Sequence, residues 1–207
     1  AGSDLSVEML NNLNPSFVLD LTATPRKNSN IISYVDAREL KKEHMVKLPV
    51  VVYNRTTRQS VIQDAIQLRG SIEQEAIAVE AAGGKYIRPI VLFQAQPRTG
   101  DNSDTFDKIK AMLVGMGIPE NQIAVKTSNV DDLKGQDLMS RDCEIRYIIT
   151  VNALKEGWDC PFAYILASLA NRTSTVDVEQ ILGRILRQPY AMQHKSPLLN
   201  TSYVLTN

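Results

Sequence analysis

Two arginines three residues apart, Arg184 and Arg187, stand in the segment Gln180-Ile-Leu-Gly183-Arg184-Ile-Leu-Arg187. On a helix spanning Val176–Arg187 such a pair shares one face. A guanidinium is a planar, permanently charged fork, so two of them at a helix end could clamp a phosphoryl group in transfer. Gly183 leaves room for close packing, and Gln180 lies one turn before Arg184. The plainer alternative is a surface helix with both arginines in solvent and Ile181, Leu182, Ile185 and Leu186 in the core.

About twenty residues upstream lies Asn152-Ala-Leu-Lys-Glu156-Gly157-Trp158-Asp159-Cys160-Pro161, directly after an apolar strand candidate. Carboxylates and a glycine at the carboxyl end of a strand suit the crevice where open α/β sheets bind ligands. The alternative is a tight turn in which Asp159 caps a helix and Trp158 packs beneath it. The sequence contains no G-x-x-x-x-G-K-[ST] loop, so it lacks a phosphate cradle of its own. Gly83-Gly84-Lys85-Tyr86 follows a helix, not a strand, and reads as a helix C-cap.

These segments need elements to position them. Ser16–Leu21 is a short apolar run stopped by Thr22-Ala23-Thr24-Pro25 and predicts a buried strand. Val46–Tyr53 predicts a second strand. Ser60–Ala82 carries apolar residues at helical spacing, interrupted by Gly70, with Gly83-Gly84 as its stop. A strand at Pro89–Ala95, a helix at Thr105–Met116 and strands at Ile123–Lys126, Tyr147–Val151, Ala163–Leu169 and Tyr203–Leu205 follow. Strands alternating with helices predict βαβ units and an α/β fold with a doubly wound, mostly parallel sheet.

The order strand, Glu-Gly-x-Asp-x-Pro, strand, Gln-x-x-Gly-Arg-x-x-Arg resembles motifs V and VI of superfamily 2 helicases. Thr22-Ala23-Thr24-Pro25 resembles their motif III, and Ile90-Val-Leu-Phe-Gln-Ala95 their motif IV strand. The wording of motifs V and VI is most similar to the motor-bearing subunit of type III restriction enzymes. The resemblance implies a second, RecA-like motor lobe over residues 46–207, with motifs IV, V and VI, in a P-loop NTPase fold that lacks its own P-loop. Residues 1–45 would be the tail of the first lobe and the interlobe connection.

Carried over on that resemblance, Arg187 is the finger reaching the γ-phosphate, Arg184 its neighbour, and Gln180 a residue that positions water or links the lobes. Glu156, Gly157, Asp159 and Gly183 border the nucleotide. Thr22, Ala23 and Thr24 couple nucleotide state to lobe movement. Phe93, Gln94, Ala95, Thr150 and Val151 lie near the nucleic-acid backbone, although many relatives carry Thr where this chain has Val151. ATP and Mg²⁺ would be held by the parent protein and its first lobe, so this chain alone is expected neither to bind ATP tightly nor to hydrolyse it. The implied partners are duplex DNA, that first lobe of the same chain and a modification methyltransferase subunit, with endonuclease activity in the parent.

Composition adds boundaries. The 207 residues, 43% apolar and 22% charged, suit an ordinary globular domain. Lys plus Arg equals Asp plus Glu at 23 each, so no overall basic field advertises nucleic acid. Cys143 and Cys160 lack metal-ligand spacing and read as ordinary thiols. No apolar run is long enough for a membrane span and no signal peptide is visible, so a cytoplasmic protein with no membrane partner is expected. His44 and His194 read as surface residues, Asp131-Asp132 and Glu73/Glu75 as solvated helix positions, and the methionines as core fillers. Two other readings stay open: a DNA or RNA helicase of repair or defence without a nuclease, and a non-catalytic α/β binding module.

Overall fold

The computed structural model describes residues 4–19, 21, 30–96, 105–151, 158–169, 182, 183 and 185–207. The chain divides into two compact units, Ala1–Asp36 and Ala37–Asn207. The first contains the helix α1 (Asp4–Asn12). Its predicted buried strand at Ser16–Leu21 does not form: the described residues there are irregular, and Phe17, Val18, Leu19 and Leu21 are exposed. An apolar run becomes a strand only when another backbone edge takes up its N–H and C=O groups, and the sheet of the second unit does not include this segment.

The second unit opens with α2 (Ala37–Lys42) and continues through β1 (Val50–Asn54), α3 (Arg58–Ala81), β2 (Ile90–Gln94), α4 (Phe106–Gly115), β3 (Ile123–Lys126), β4 (Tyr147–Thr150), β5 (Ala163–Ser168) and β6 (Ser202–Thr206). The six strands form one sheet in the order β1-β6-β5-β2-β4-β3, and every pair is parallel. The doubly wound α/β expectation therefore holds. All residues of β2, β4 and β5 are buried, whereas the edge strand β1 is only partly covered. That contrast explains the uninterrupted apolar runs in the middle strands, since both of their faces are screened from water.

Helix α3 begins at Thr57, whose hydroxyl accepts from the Ser60 N–H at 3.1 Å. It buries Val61, Ile62, Ala65, Ile72, Ala76 and Val79. Gly70 does not interrupt it, and Ile77, one of its apolar residues, is exposed. At its end Gly83 adopts φ +86° and its N–H donates to Glu80 O, while the Gly84 N–H donates to Val79 O. The Gly-Gly pair is thus the predicted cap and not a phosphate loop.

Several side chains sit differently from expectation. His194 is buried, with Nε2 3.2 Å from the Pro189 carbonyl oxygen. Asp131 and Asp132 are not helical: Asp131 pairs with Lys126, and the Asp132 carboxylate accepts the Val125 N–H at 2.8 Å. Glu73 is no solvated carboxylate either, because it pairs with Arg69 at 2.9 Å and Arg146 at 3.0 Å, tying α3 to the approach to β4. Met9, Met45 and Met192 are exposed instead of filling the core. Arg88 is buried, donating to the carbonyls of Leu138, Ser140 and Ile145, which anchors the long link between β3 and β4. The Arg146 partner of Glu73 and the three carbonyl partners of Arg88 lie 50 or more residues away in sequence, beyond the reach of local cues.

A Cβ on Gly84 would lie 2.6 Å from Val79 Cγ1 and 2.7 Å from the Val79 carbonyl oxygen. Gly84→Ala is therefore expected to lower the unfolding free energy by about 1–3 kcal/mol. Gly115→Ala, with open space around the new methyl group, should not destabilise; urea melts of the two variants make the comparison.

Candidate functional site

The residues Met45–Lys47 run antiparallel to Leu186–Gln188. Val46 and Arg187 form an isolated bridge, and the Gln188 N–H donates to Met45 O at 2.9 Å. The predicted helix Val176–Arg187 does not reach its expected end: Leu182, Gly183 and Ile185 are its last described helical residues, and Arg187 is in extended pairing. The competing backbone edge at Met45–Lys47 takes the chain out of the helix. The Arg187 side chain is consequently placed by a strand-like bridge and not by helical spacing from Arg184.

Lys47 sits in the middle of this junction and is completely buried. Its Nζ donates to Pro161 O at 2.9 Å and to Arg187 O, and lies 4.5 Å from the centroid of the Tyr164 ring. The Ser202 hydroxyl, at the start of β6, lies 3.1 Å from Lys47 O and 3.2 Å from Ile185 O. Burial pulls the Lys47 amine down to about 7, opposed by the charges of Cys160 and Asp159. A neutral amine still carries two N–H groups, enough for both carbonyls. Lys47 was not anticipated; a lysine inside the apolar run Val46–Tyr53 was the available signal.

Held by this junction, Arg187 Nη1 donates to Asp159 Oδ2 at 2.6 Å. Their side chains retain 60% and 45% exposure, so the pair is well solvated and contributes little to stability. The Arg187 backbone is held by the bridge to Val46 while the charged tips of the pair stay open to solvent. The neighbouring Cys160 is fully buried, and burial raises its thiol to about 11, which makes it a core residue and not a nucleophile.

Asp159 does not stand at the carboxyl end of a strand, as the sequence suggested. Pro161 lies two residues before β5, and Lys47 precedes β1, so the Asp159–Arg187 pair belongs to the amino edge of the sheet. Thr150 and Val151 begin the same connection at the carboxyl edge. At that edge Phe93, Gln94, Ala95 and Thr150 are buried, and Val151 is partly so. Gln94 accepts from the Ser168 hydroxyl at 3.0 Å, the Ala95 N–H donates to Thr150 O, and Thr150 Oγ1 has no hydrogen-bond partner among the described residues. Beyond them opens a cavity of about 400 Å³, whose lining includes Gln96, Thr105, Thr127, Ser128, Asn129 and Val151. The structure thus separates the Asp159–Arg187 pair from the strand ends expected near nucleic acid.

Thr22, Ala23, Thr24, Glu156, Gly157, Gln180 and Arg184 lie outside the described residues. Gly183 is exposed, and nothing among the described residues comes within 4 Å of where its Cβ would be. The close packing expected there is not seen among the described residues.

No family model matches the sequence, and no curated protein matches it. Among solved structures, the chain is similar to a variant of S. cerevisiae Dbp5 bound to RNA and ADP BeF3. The TM-score is 0.44 at 11% identity, covering 100% of this chain and 42% of that one, a distance at which the likeness carries nothing about function. The chain spans less than half the length of that protein. Among the described residues no helix is long and apolar enough to cross a membrane.

The Lys47 amine gives the fold a pH signature. Above about pH 7 the folded chain releases this proton while the unfolded chain keeps it until about 10.5, so stability rises with pH across that window. Cys160 acts oppositely between 9 and about 11. Unfolding free energy should therefore climb between pH 7 and 9, by on the order of 2 kcal/mol. Lys47→Met should flatten that rise, as denaturant melts at stepped pH would measure.

Proposed function

We propose that this chain is the second motor lobe of a superfamily 2 nucleic-acid-dependent ATPase, and that it supplies the arginine finger to an ATP site built mainly by a first lobe. The observation that carries the reading is the contact between Asp159 and Arg187. It joins two segments that stand 28 residues apart, each marked in the sequence by a helicase-like motif. An arginine with a fixed backbone and an exposed, weakly held guanidinium suits a group that stabilises charge on a transferring phosphoryl group. Asp159 would hold it in readiness until nucleotide arrives.

ATP and Mg²⁺ fit a shared site of this kind better than one within this chain, which has no phosphate loop. At the opposite edge, the cavity by Gln96, Thr105 and Thr127–Asn129 has a largely apolar lining that carries hydroxyl and amide groups of the kind that hold a nucleic-acid backbone. Phe93, Gln94, Ala95 and Thr150 would act there as the buried supports of those groups. Duplex DNA is the proposed track, and the similarity of motifs V and VI to the type III restriction subunit favours a parent that also cleaves DNA beside a methyltransferase subunit. Such an enzyme works in the cytoplasm.

The test is ATP hydrolysis by the full-length protein carrying this chain, with and without duplex DNA or RNA. Strong stimulation by duplex DNA is expected. Arg187→Ala should then reduce stimulated turnover by about 10³-fold or more with the fold intact, and Arg187→Lys should not restore it. Near-normal turnover in Arg187→Ala would remove the finger assignment, and no turnover with any nucleic acid would favour a non-catalytic module.

A further inference from the structure

We propose that Lys47 is the positioning residue of the Arg187 site, a buried clasp that holds the Asp159 and Arg187 segments together through their carbonyl groups. Its Nζ reaches both segments, bonding Pro161 O on one side and Arg187 O on the other. The Tyr164 ring backs it from β5, and Ser202 holds its own backbone from β6. Among the described residues its burial is compensated by backbone acceptors and an aromatic face. Carbonyl groups are properties of the backbone, so the clasp fixes where the two segments run and leaves the Asp159 and Arg187 side chains free.

This geometry explains why Arg187 can be exposed yet placed. The Val46–Arg187 bridge sets the register, and the Lys47 amine closes the remaining carbonyl of Arg187 onto the turn that carries Asp159. Without the amine, two part-buried carbonyl groups lose their donor, and the turn at 158–161 keeps only the solvent-exposed Asp159–Arg187 pair as its tie to Arg187. The clasp is a matter of structure; its consequence for turnover rests on the ATPase reading above.

Trp158, the only tryptophan in the sequence, lies beside Asp159 and is packed partly buried against the core, so its fluorescence reports on this turn. In the 207-residue protein, Lys47→Met should move Trp158 emission to longer wavelength and raise its acrylamide quenching, with helix content retained. A folded variant with unchanged emission and quenching overturns the clasp. Reductive methylation of the unaltered protein decides the matter even where the variant does not fold. Lys47 should be protected many-fold relative to the exposed Lys41 and Lys42, and modification at their rate overturns the proposal. In the full-length ATPase, Lys47→Met should lower kcat at least tenfold with KM for ATP little changed, and add less than twofold to Arg187→Ala. Full additivity of the two substitutions overturns the positioning role. Absence of turnover in the unaltered protein instead removes the ATPase reading and leaves the fluorescence and methylation results to decide the clasp.

Discussion

All six strands run in one direction, so each link between them must carry the chain back from the carboxyl edge of the sheet to the amino edge. Much else depends on this. The link from β4 to β5 passes from one side of β2 to the other within residues 151–162. The two ends of one motif-bearing segment thereby lie at opposite edges, Thr150 and Val151 at one and Asp159, Cys160 and Pro161 at the other. Residues adjacent in sequence serve different places, and Arg187, far away in sequence, becomes the neighbour of Asp159.

Two buried basic side chains make that arrangement hold together. Lys47 and Arg88 are both fully enclosed, and both spend their donors mainly on backbone carbonyls. Arg88 gathers the irregular stretch at Leu138–Ile145, and Lys47 gathers the ends of the segments at Pro161 and Arg187. A buried cation is costly unless its hydrogen bonds are met, and irregular segments have carbonyl groups to spare. Each need answers the other. The exposed pair Arg187–Asp159 follows a different rule, since water weakens it and leaves it open to exchange.

The parallel sheet and its helices were readable because their cause is local and repeated. Strands β2, β4 and β5 announce themselves as apolar runs, α3 by its periodic Val61, Ile62, Ala65 and Ile72, and its end by Gly83-Gly84. The same reasoning misplaced Ser16–Leu21, whose composition suits a strand but which has no edge to pair with here. It misplaced His194 and Glu73 for the converse reason: each looks like a surface residue until a partner from elsewhere covers it or pairs with it.

By itself the sequence determined the α/β class, nearly every element of the second unit and the two segments in which chemistry was to be sought. Those follow from periodicity, turn residues and residue type, which act over a few positions. Only the tertiary structure decided that Arg187 leaves its helix to bridge Val46, that Asp159 meets it at the amino edge, and that Lys47 lies buried between their carbonyls. These outcomes depend on competition between distant backbone edges for the same hydrogen bonds, and on which polar groups lose access to water. Both are settled only when the whole sheet closes around them.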